Sequence, residues 1–414
     1  MGHVKAFIFI LVLILALSAC SSKPEMVVIL EPSLEYQLYG AFSDGLLQVQ
    51  NVDDNGRHYY FIDKTGKLVI NCEEYNNVIG HFSEGLLAVG KLNPEKGFDK
   101  YDCGFIDKSG NIAIPFIFDW IGLFQDGRAA YTENGKQGLI DIKGNIIVPA
   151  DYNSIWYNGD GTWQVRKDDG DALIDKDGKF IIPFESGYRH FYSFSEGLIV
   201  AWKDEKCGFI DKAGNVVVPI KYYNANSFRD GVAYVLEIND GIRQEYFIDK
   251  TGTVVLNISE LQYEYVEPYF SDGLCLVYNG KGFGFIDKTG TLVIPTIYDF
   301  PYEPNPYSFD PPDSFHDGRA IAKKDGKFGI IDTKGNAVAE FIYDDIKYFL
   351  DNNSERVYGG FVKALQGDKW GVLDYRTGEI IIPFEYDDIL DMGEDGLIVV
   401  GIDGKYGIIQ IVEK

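Results

Sequence analysis

Apolar and polar positions alternate in short bursts along most of this chain, and the same turn cuts each burst. Residues 61–70 read Phe-Ile-Asp-Lys-Thr-Gly-Lys-Leu-Val-Ile, two apolar runs around a polar turn that ends in glycine. The pattern recurs at 105–115, 139–149, 173–183, 209–219, 247–256, 285–295, 330–340 and 372–383. Runs this short, rich in β-branched and aromatic residues, predict paired strands. The turn carries its own chemistry. An Asp at its first position accepts hydrogen bonds from the following backbone N–H groups, and the next two residues suit a type I turn. Glycine then supplies the left-handed residue that re-enters the second strand as a bulge. In the copy at 372–383 an extra residue, Arg376, moves the glycine to position 378.

A second burst follows each hairpin. Phe, any residue, Asp or Glu, and Gly precede an alternating apolar run at 42–49, 82–89, 124–131, 194–201, 228–235, 270–277 and 315–322. Here Phe reads as a buried anchor and the acid–Gly pair as a turn. A weaker Tyr-Asp pair lies between, as at 298–299, 343–344 and 386–387. The turn aspartates, from Asp63 to Asp374, stand 34–45 residues apart, so the chain is an array of units. Each unit has three clear strands and room for a fourth.

The ends complement each other. Met26-Val-Val-Ile-Leu-Glu-Pro aligns with Lys67-Leu-Val-Ile-Asn-Cys-Glu, the last strand of a unit, and residues 395–414 carry a strand pair that stops where such a strand would begin. The expected fold class is therefore all-β, with tandem repeats of short antiparallel strands in about ten units of roughly 40 residues. Three arrangements fit: a β-propeller-like ring closed by the two ends, an open β superhelix, or two smaller rings.

These motifs resemble the WG-repeat (KWG) family of bacterial proteins over nearly all of residues 26–414. Lys369-Trp370-Gly371 carries the family's letters intact. Elsewhere Phe283, Phe328 or Tyr406 stands for the aromatic, and Cys103 or Cys207 replaces it. The resemblance implies an architecture and brings no catalytic residues with it.

The N-terminus has a different character. Residues 6–17 are an unbroken apolar run after a short head with one Lys, too short to span a bilayer and suited to a secretory signal. The run ends in Leu17-Ser18-Ala19-Cys20, which resembles the bacterial lipobox. The resemblance implies cleavage after residue 19, lipid on Cys20, a tether over 20–25 and a repeat domain over 26–414. It makes a membrane a partner through that lipid and places the protein in the bacterial cell envelope, facing the extracytoplasmic side.

Composition narrows the chemistry. A formal net charge of −25 repels phosphate backbones, so no nucleic-acid partner is expected. Cys72, Cys103, Cys207 and Cys275 are scattered singly, without metal-ligand spacing, and no metal site or cofactor is expected. Asp53-Asp54-Asn55-Gly56 and Asp175-Lys176-Asp177-Gly178 lack the spacing of a calcium loop. Asp287–Leu292 (DKTGTL) is similar to the phosphorylation loop of P-type ion pumps. Those pumps also need membrane helices and a GDGxNDxP loop, neither of which occurs here, and turn chemistry accounts for each letter. Asp287 is thus a turn residue, and no catalytic residue is named.

Departures from the repeat are where binding usually sits. The longest is 298–315, whose aromatic residues Tyr298, Phe300, Tyr302, Tyr307 and Phe309 form a candidate binding loop; 185–194 and 261–270 are lesser cases. The expected function is an envelope-anchored lipoprotein scaffold, not an enzyme, that binds a protein or carbohydrate partner. A secreted propeller-type hydrolase and a purely structural envelope protein are the alternatives.

Overall fold

The computed structural model describes residues 24–53, 56–97, 100–168, 170–299, 314–350 and 356–412. They form ten antiparallel sheets, the blades of one closed β-propeller. Blades 1 to 9 span 37–71, 77–118, 120–152, 154–182, 190–222, 224–257, 265–298, 319–343 and 345–386. Blade 8 has three described strands, and the other sheets have four. Blade 10 combines three strands over 388–412 with Glu25–Leu34 from the other end of the chain.

Closure is direct. Met26 pairs with Ile411, Val28 with Ile409, Leu30 with Ile408 and Leu34 with Tyr406. Across the seam, Phe42, Leu47, Val49 and Ile62 of blade 1 share a core with Leu397, Val399 and Ile408 of blade 10. The closed ring is therefore adopted, not the open superhelix or two smaller rings. The sequence alignment of the ends is off by one residue. Leu30, not Ile29, sits opposite Ile408 as Ile70 sits opposite Phe61, and both strands carry the same register shift just before that residue.

Cores lie between blades rather than within them, and the repeated Phe residues explain why. The Phe that precedes Ile-Asp on one blade meets the anchor Phe of the next: Phe61 with Phe82, Phe105 with Phe124, Phe209 with Phe228, Phe247 with Phe270 and Phe285 with Phe315. Their ring centroids are 4.6–5.1 Å apart. Each such pair adds about 0.5–1.5 kcal/mol beyond the burial of the rings.

The first strands of blades 9 and 10, of 10 and 1, and of 1 and 2 touch one another. Fourth strands form the perimeter, where Ile112, Ile117, Ile146, Val216 and Ile380 are more than half exposed. Pro115, Pro149, Pro219, Pro295 and Pro383 lie in these outer strands. A proline there removes an N–H that would otherwise invite pairing with another chain.

The glycine of the Trp-Gly position sets how far the outer strand runs. At Gly208 a β-carbon would sit 2.6 Å from the carbonyl oxygens of Val218 and Pro219, and Gly104, Gly138, Gly284, Gly329 and Gly371 are crowded in the same way. Blades 2, 3, 5, 7, 8 and 9 have this glycine and seven-residue outer strands, such as Val216–Tyr222; blade 10, with Gly407, has the longer Glu25–Leu34. Where Tyr60, Ala172 or Tyr246 takes its place, the outer strand shrinks to Leu68–Asn71, Phe180–Ile182 or Val254–Asn257. A side chain at this position holds the outer backbone off, and pairing stops.

Antiparallel alternation puts the turns between strands 1 and 2, and between 3 and 4, on one face of the ring. The second of these is the Asp-Lys-Thr-Gly turn. The first has both central residues at positive φ, as in Asp44 (55°) and Gly45 (80°), a type I′ geometry that matches the twist of a hairpin. Its acid also reaches forward. Gly85 N–H donates to Asp44 Oδ2 at 2.8 Å, Gly127 to Glu84 Oε1 at 3.0 Å, Gly231 to Glu196 Oε1 at 3.0 Å, Gly273 to Asp230 Oδ2 at 2.5 Å and Gly318 to Asp272 Oδ2 at 2.7 Å. Each bond joins one blade to the next. On the opposite face the Tyr-Asp aspartates cap the turn between strands 2 and 3 of the following blade: Asp299 accepts from Gly326 N–H, Asp344 from Gly367 and Asp387 from Asp403.

Candidate functional site

A cleft of about 340 Å³ opens on the face of the type I′ turns, where blades 5, 6 and 7 meet; Tyr192, Ser195, Asn226, Ser227, Phe228, Arg229 and Tyr269 line it. Tyr192 belongs to the irregular segment 185–194 and Tyr269 to 261–270, so two departures from the repeat meet across blade 6. The third reaches the same place, because Ser314 Oγ donates to the Tyr269 hydroxyl at 3.1 Å.

The repeat explains how these side chains are aimed. In three blades the residue after the anchor Phe is a serine whose hydroxyl donates to the carbonyl of the next blade's anchor. Ser43 bonds Phe82 O at 2.7 Å, Ser83 bonds Phe124 O at 2.6 Å and Ser195 bonds Phe228 O at 2.5 Å. Blade 6 has Arg229 at this position. Its Nη2 donates to Ser271 Oγ at 2.8 Å, and its guanidinium lies 4.6 Å from the centroid of the Tyr269 ring. Among the described residues no carboxylate stands within ion-pair distance of Arg229. Asn226 donates to Pro268 O at 3.4 Å, and Tyr192 is 44% exposed at the edge of the cleft.

Beneath the cleft Glu267 is buried and accepts from the Tyr265 hydroxyl at 2.7 Å. Burial pushes its carboxyl above the usual range, against the hydroxyls of Tyr265 and Tyr269 and the charge of Arg229. Burial likewise raises the Tyr269 phenol. The cleft thus presents one fixed cation, an exposed ring and amide and hydroxyl groups to a ligand.

A second polar cluster stands on blade 4. There Asp171-Ala172 replaces the Trp-Gly pair, and the Asp171 carboxylate is fully buried. Arg166 grips it with Nε to Oδ1 at 2.6 Å and Nη2 to Oδ2 at 2.9 Å, and Gln164 Nε2 adds a bond at 2.7 Å. The guanidinium lies over the Trp156 ring at 4.9 Å, and His190 Nδ1 of the next blade is 3.2 Å from Nη2.

The residues singled out from sequence divide sharply. Tyr298 is not part of an exposed loop. It is a core residue, 3% exposed, at the end of the outer strand of blade 7, where it stacks on Phe341 at 6.0 Å. The Tyr of the Tyr-Asp pair packs inward in each of these blades, as Tyr343 and Tyr386 also do. Phe300, Tyr302, Tyr307, Phe309 and Cys20 lie outside the described residues. Asp287 sits in a turn: its Oδ1 accepts from Thr289 N–H, Thr289 Oγ1 and Thr291 N–H at 2.8, 2.6 and 3.0 Å, while Gly290 has φ 82°. Cys72, Cys103, Cys207 and Cys275 are free and buried. Among the described residues no group of three or more His, Cys, Asp or Glu is placed to hold a metal ion, and no helix is long and apolar enough to cross a membrane.

Comparison with known proteins agrees with the repeat reading. A family model described as "WG containing repeat" matches residues 61–93, 104–136, 138–170, 173–207, 208–240, 283–303, 328–370 and 370–406, more than half of the chain. No curated protein sequence matches. Among solved structures, the chain is similar to a eukaryotic initiation factor at 11% identity and a TM-score of 0.41, over 74% of this chain and 87% of that one. It is also similar to Porphyromonas gingivalis dipeptidyl peptidase 4, at 8% identity and a TM-score of 0.36, over 89% of this chain and 65% of that one.

Proposed function

Because the chain belongs to the WG-repeat family, we propose that it is an envelope lipoprotein whose ring is a scaffold that binds a protein or glycan ligand. In this reading Cys20 carries the lipid, and the ring sits on the extracytoplasmic side of a bacterial membrane. The apolar run over 6–17 and the Leu-Ser-Ala-Cys that follows support the anchor. The first strand begins at Glu25, so the tether is short and the ring stays close to its membrane.

One observation carries the binding role. Three segments that break an otherwise regular repeat converge on one cleft, through Tyr192, Tyr269 and Ser314. Concave sites with a few placed polar groups are where ligands bind. We read the protein as a binder rather than a catalyst, because the cleft offers donors and rings, and Ser195 Oγ is already engaged with the Phe228 carbonyl.

Two experiments test the proposal. Cys20→Ser is expected to abolish palmitate labelling and move the protein from the membrane to the soluble fraction; unchanged labelling would remove the anchor. A photo-crosslinking residue at position 192 is expected to capture a ligand on intact cells, and the same residue at Tyr223, on the opposite face, is not. Equal capture at both positions would remove the cleft from the reading.

A further inference from the structure

We propose that the ligand is an oligosaccharide bearing a carboxylate, laid along the inner strands of blades 3 to 5 with its acidic unit at Arg229. The inference rests on the binding-scaffold reading and names its ligand class.

The first observation is an arc of exposed rings. Trp120 and Trp156 stand on the innermost strands of blades 3 and 4 and Tyr192 directly follows that of blade 5; they are 42%, 42% and 44% exposed. They lie at one level. Trp156 pairs with Gln164, and Tyr192 N–H bonds Val200 O, the matching residue of the next blade. On blade 3 that level is Gly122, and the Trp120 ring lies over it, 3.2 Å from where its β-carbon would be. Successive packed sheets are about 10 Å apart, so the rings form a row of platforms.

The second observation is that the middle platform is braced. The Arg166 guanidinium that supports Trp156 is locked by the buried Asp171. This gives a reason for the carboxylate on blade 4. The blade lacks its core aromatic, and the acid in that place fixes the cation that fixes the exposed ring.

The third observation is the end of the row. Arg229 is the cation of the adjoining cleft, held by Tyr269 and Ser271; the buried Glu267 feels its charge, but among the described residues no carboxylate is within ion-pair distance. Arg128, Arg166, Arg243 and Arg376 each pair with an acid; Arg229, like Arg57, Arg189 and Arg319, does not among the described residues, and of these four it is the one that lines the cleft. In a chain of net charge −25, an exposed guanidinium held at the edge of a cleft and left for an incoming group points to a carboxylate. The same net charge disfavours a polyanion, so the ligand carries few acidic units. Rigid rings in a row match the apolar faces of successive sugars. An extended peptide would need a long free edge, and the inner strands Trp120–Ile121 and His190–Phe191 have two residues each.

The test uses the full chain and two matched pairs of probes: chitotetraose with its muramic-acid-containing counterpart, and xylotetraose with an aldouronic acid of equal length. Binding is read by titration calorimetry and by quenching of tryptophan fluorescence. One acidic member is expected to bind about tenfold more tightly than its neutral partner, and Arg229→Gln is expected to erase that difference while leaving the neutral sugar unchanged. Tyr192→Ala and Trp156→Ala are expected to weaken both members of the pair about fivefold. Tyr223→Ala, an exposed ring off the row, should change nothing, and circular dichroism checks that each variant is folded. If both members of a pair bind equally, or Arg229→Gln keeps the difference, the carboxylate assignment is overturned. If no sugar binds and a Glu- and Tyr-rich peptide does, the saccharide class falls while the scaffold reading stands. If neither class binds, both fall.

Discussion

Gly208→Ala isolates what the repeat's glycine does. Its new β-carbon would lie 2.6 Å from Val218 O, 2.6 Å from Pro219 O and 2.7 Å from Pro219 C, all backbone atoms that cannot rotate away. The outer strand of blade 5 must therefore retreat from residue 219 onward. Blade 4 shows the result in the same molecule: Ala172 occupies the matching position, and the outer strand ends at Ile182. Retreat would break the pairing of Cys207 with Tyr222, at about 1 kcal/mol for each backbone hydrogen bond. It would also loosen Tyr222, now 2% exposed, whose full burial contributes about 1.5–3 kcal/mol. The expected loss is about 2–4 kcal/mol, read as a lower urea midpoint. Hydrogen exchange should lose protection over 219–222 and keep it over 216–218. Gly197→Ala is the control. Gly197 has φ 87° and nothing within 4 Å of its would-be β-carbon, so backbone strain alone predicts about 1 kcal/mol with no change in the outer strand. An unchanged midpoint and unchanged protection in Gly208→Ala would refute the steric account.

Other consequences are equally open to measurement. Asp230→Ala removes the acceptor of Gly273 N–H and should lower stability by about 1–2 kcal/mol, while Asp230→Asn keeps an acceptor and should stay within about 0.5 kcal/mol, by chemical denaturation. Burial pushes the thiols of Cys72 and Cys207 up to about 12 and that of Cys103 to about 11. Iodoacetamide at pH 8 should therefore leave them unlabelled in the native ring and label them once it is unfolded, as mass spectrometry can count. Asp63, Asp249 and Asp287 are held below the usual carboxylate value, first by the hydroxyls of Thr65, Thr251 and Thr289. A depressed native value gives stability that is present above 3.8 and lost as pH falls through the native values, so Tm should be flat from pH 7 to about 5 and fall below about 4. A Tm that climbs in that acid range would contradict the turn assignment.

Much of this fold was legible because it is local. The Asp-Lys-Thr-Gly turn is made within four residues, so Asp287, Thr289 and Gly290 could be assigned from their letters alone. Closure was legible from two partial ends, although the one-residue offset that puts Leu30 in the place of Ile70 was not. The blade-to-blade bonds escaped sequence reading because each partner lies far along the chain. Asp230 and Gly273 are 43 residues apart, and nothing in Phe-Arg-Asp-Gly announces the donor that its Asp will accept from. Tyr298 was misplaced for a related reason: it borders an irregular segment but belongs to the repeat before it. The cleft was half legible. Segments 185–194 and 261–270 were visible as departures, and only the ring brings Tyr192 and Tyr269 to one place. Arg229 sits in a regular motif, and its one signal was a cation where neighbouring copies have serine.

Ring closure by Glu25–Leu34 also fixes an order of events during synthesis. This strand is made long before its partner Lys405–Val412. At about 5–20 residues per second, the early strand waits about 20–80 s for its partner. Throughout that time it is an open edge carrying Val27 and Val28, which remain 42% exposed even in the finished ring. Blades 1 to 9 can stack on one another as they emerge, but the seam cannot form until residues 405–412 have been made. Folding therefore ends with a pairing of very high sequence separation, the slowest kind of contact to make. A ribosome that stops short of residue 405 releases a stack with two unsatisfied ends, each shaped to receive the other's counterpart on a second molecule.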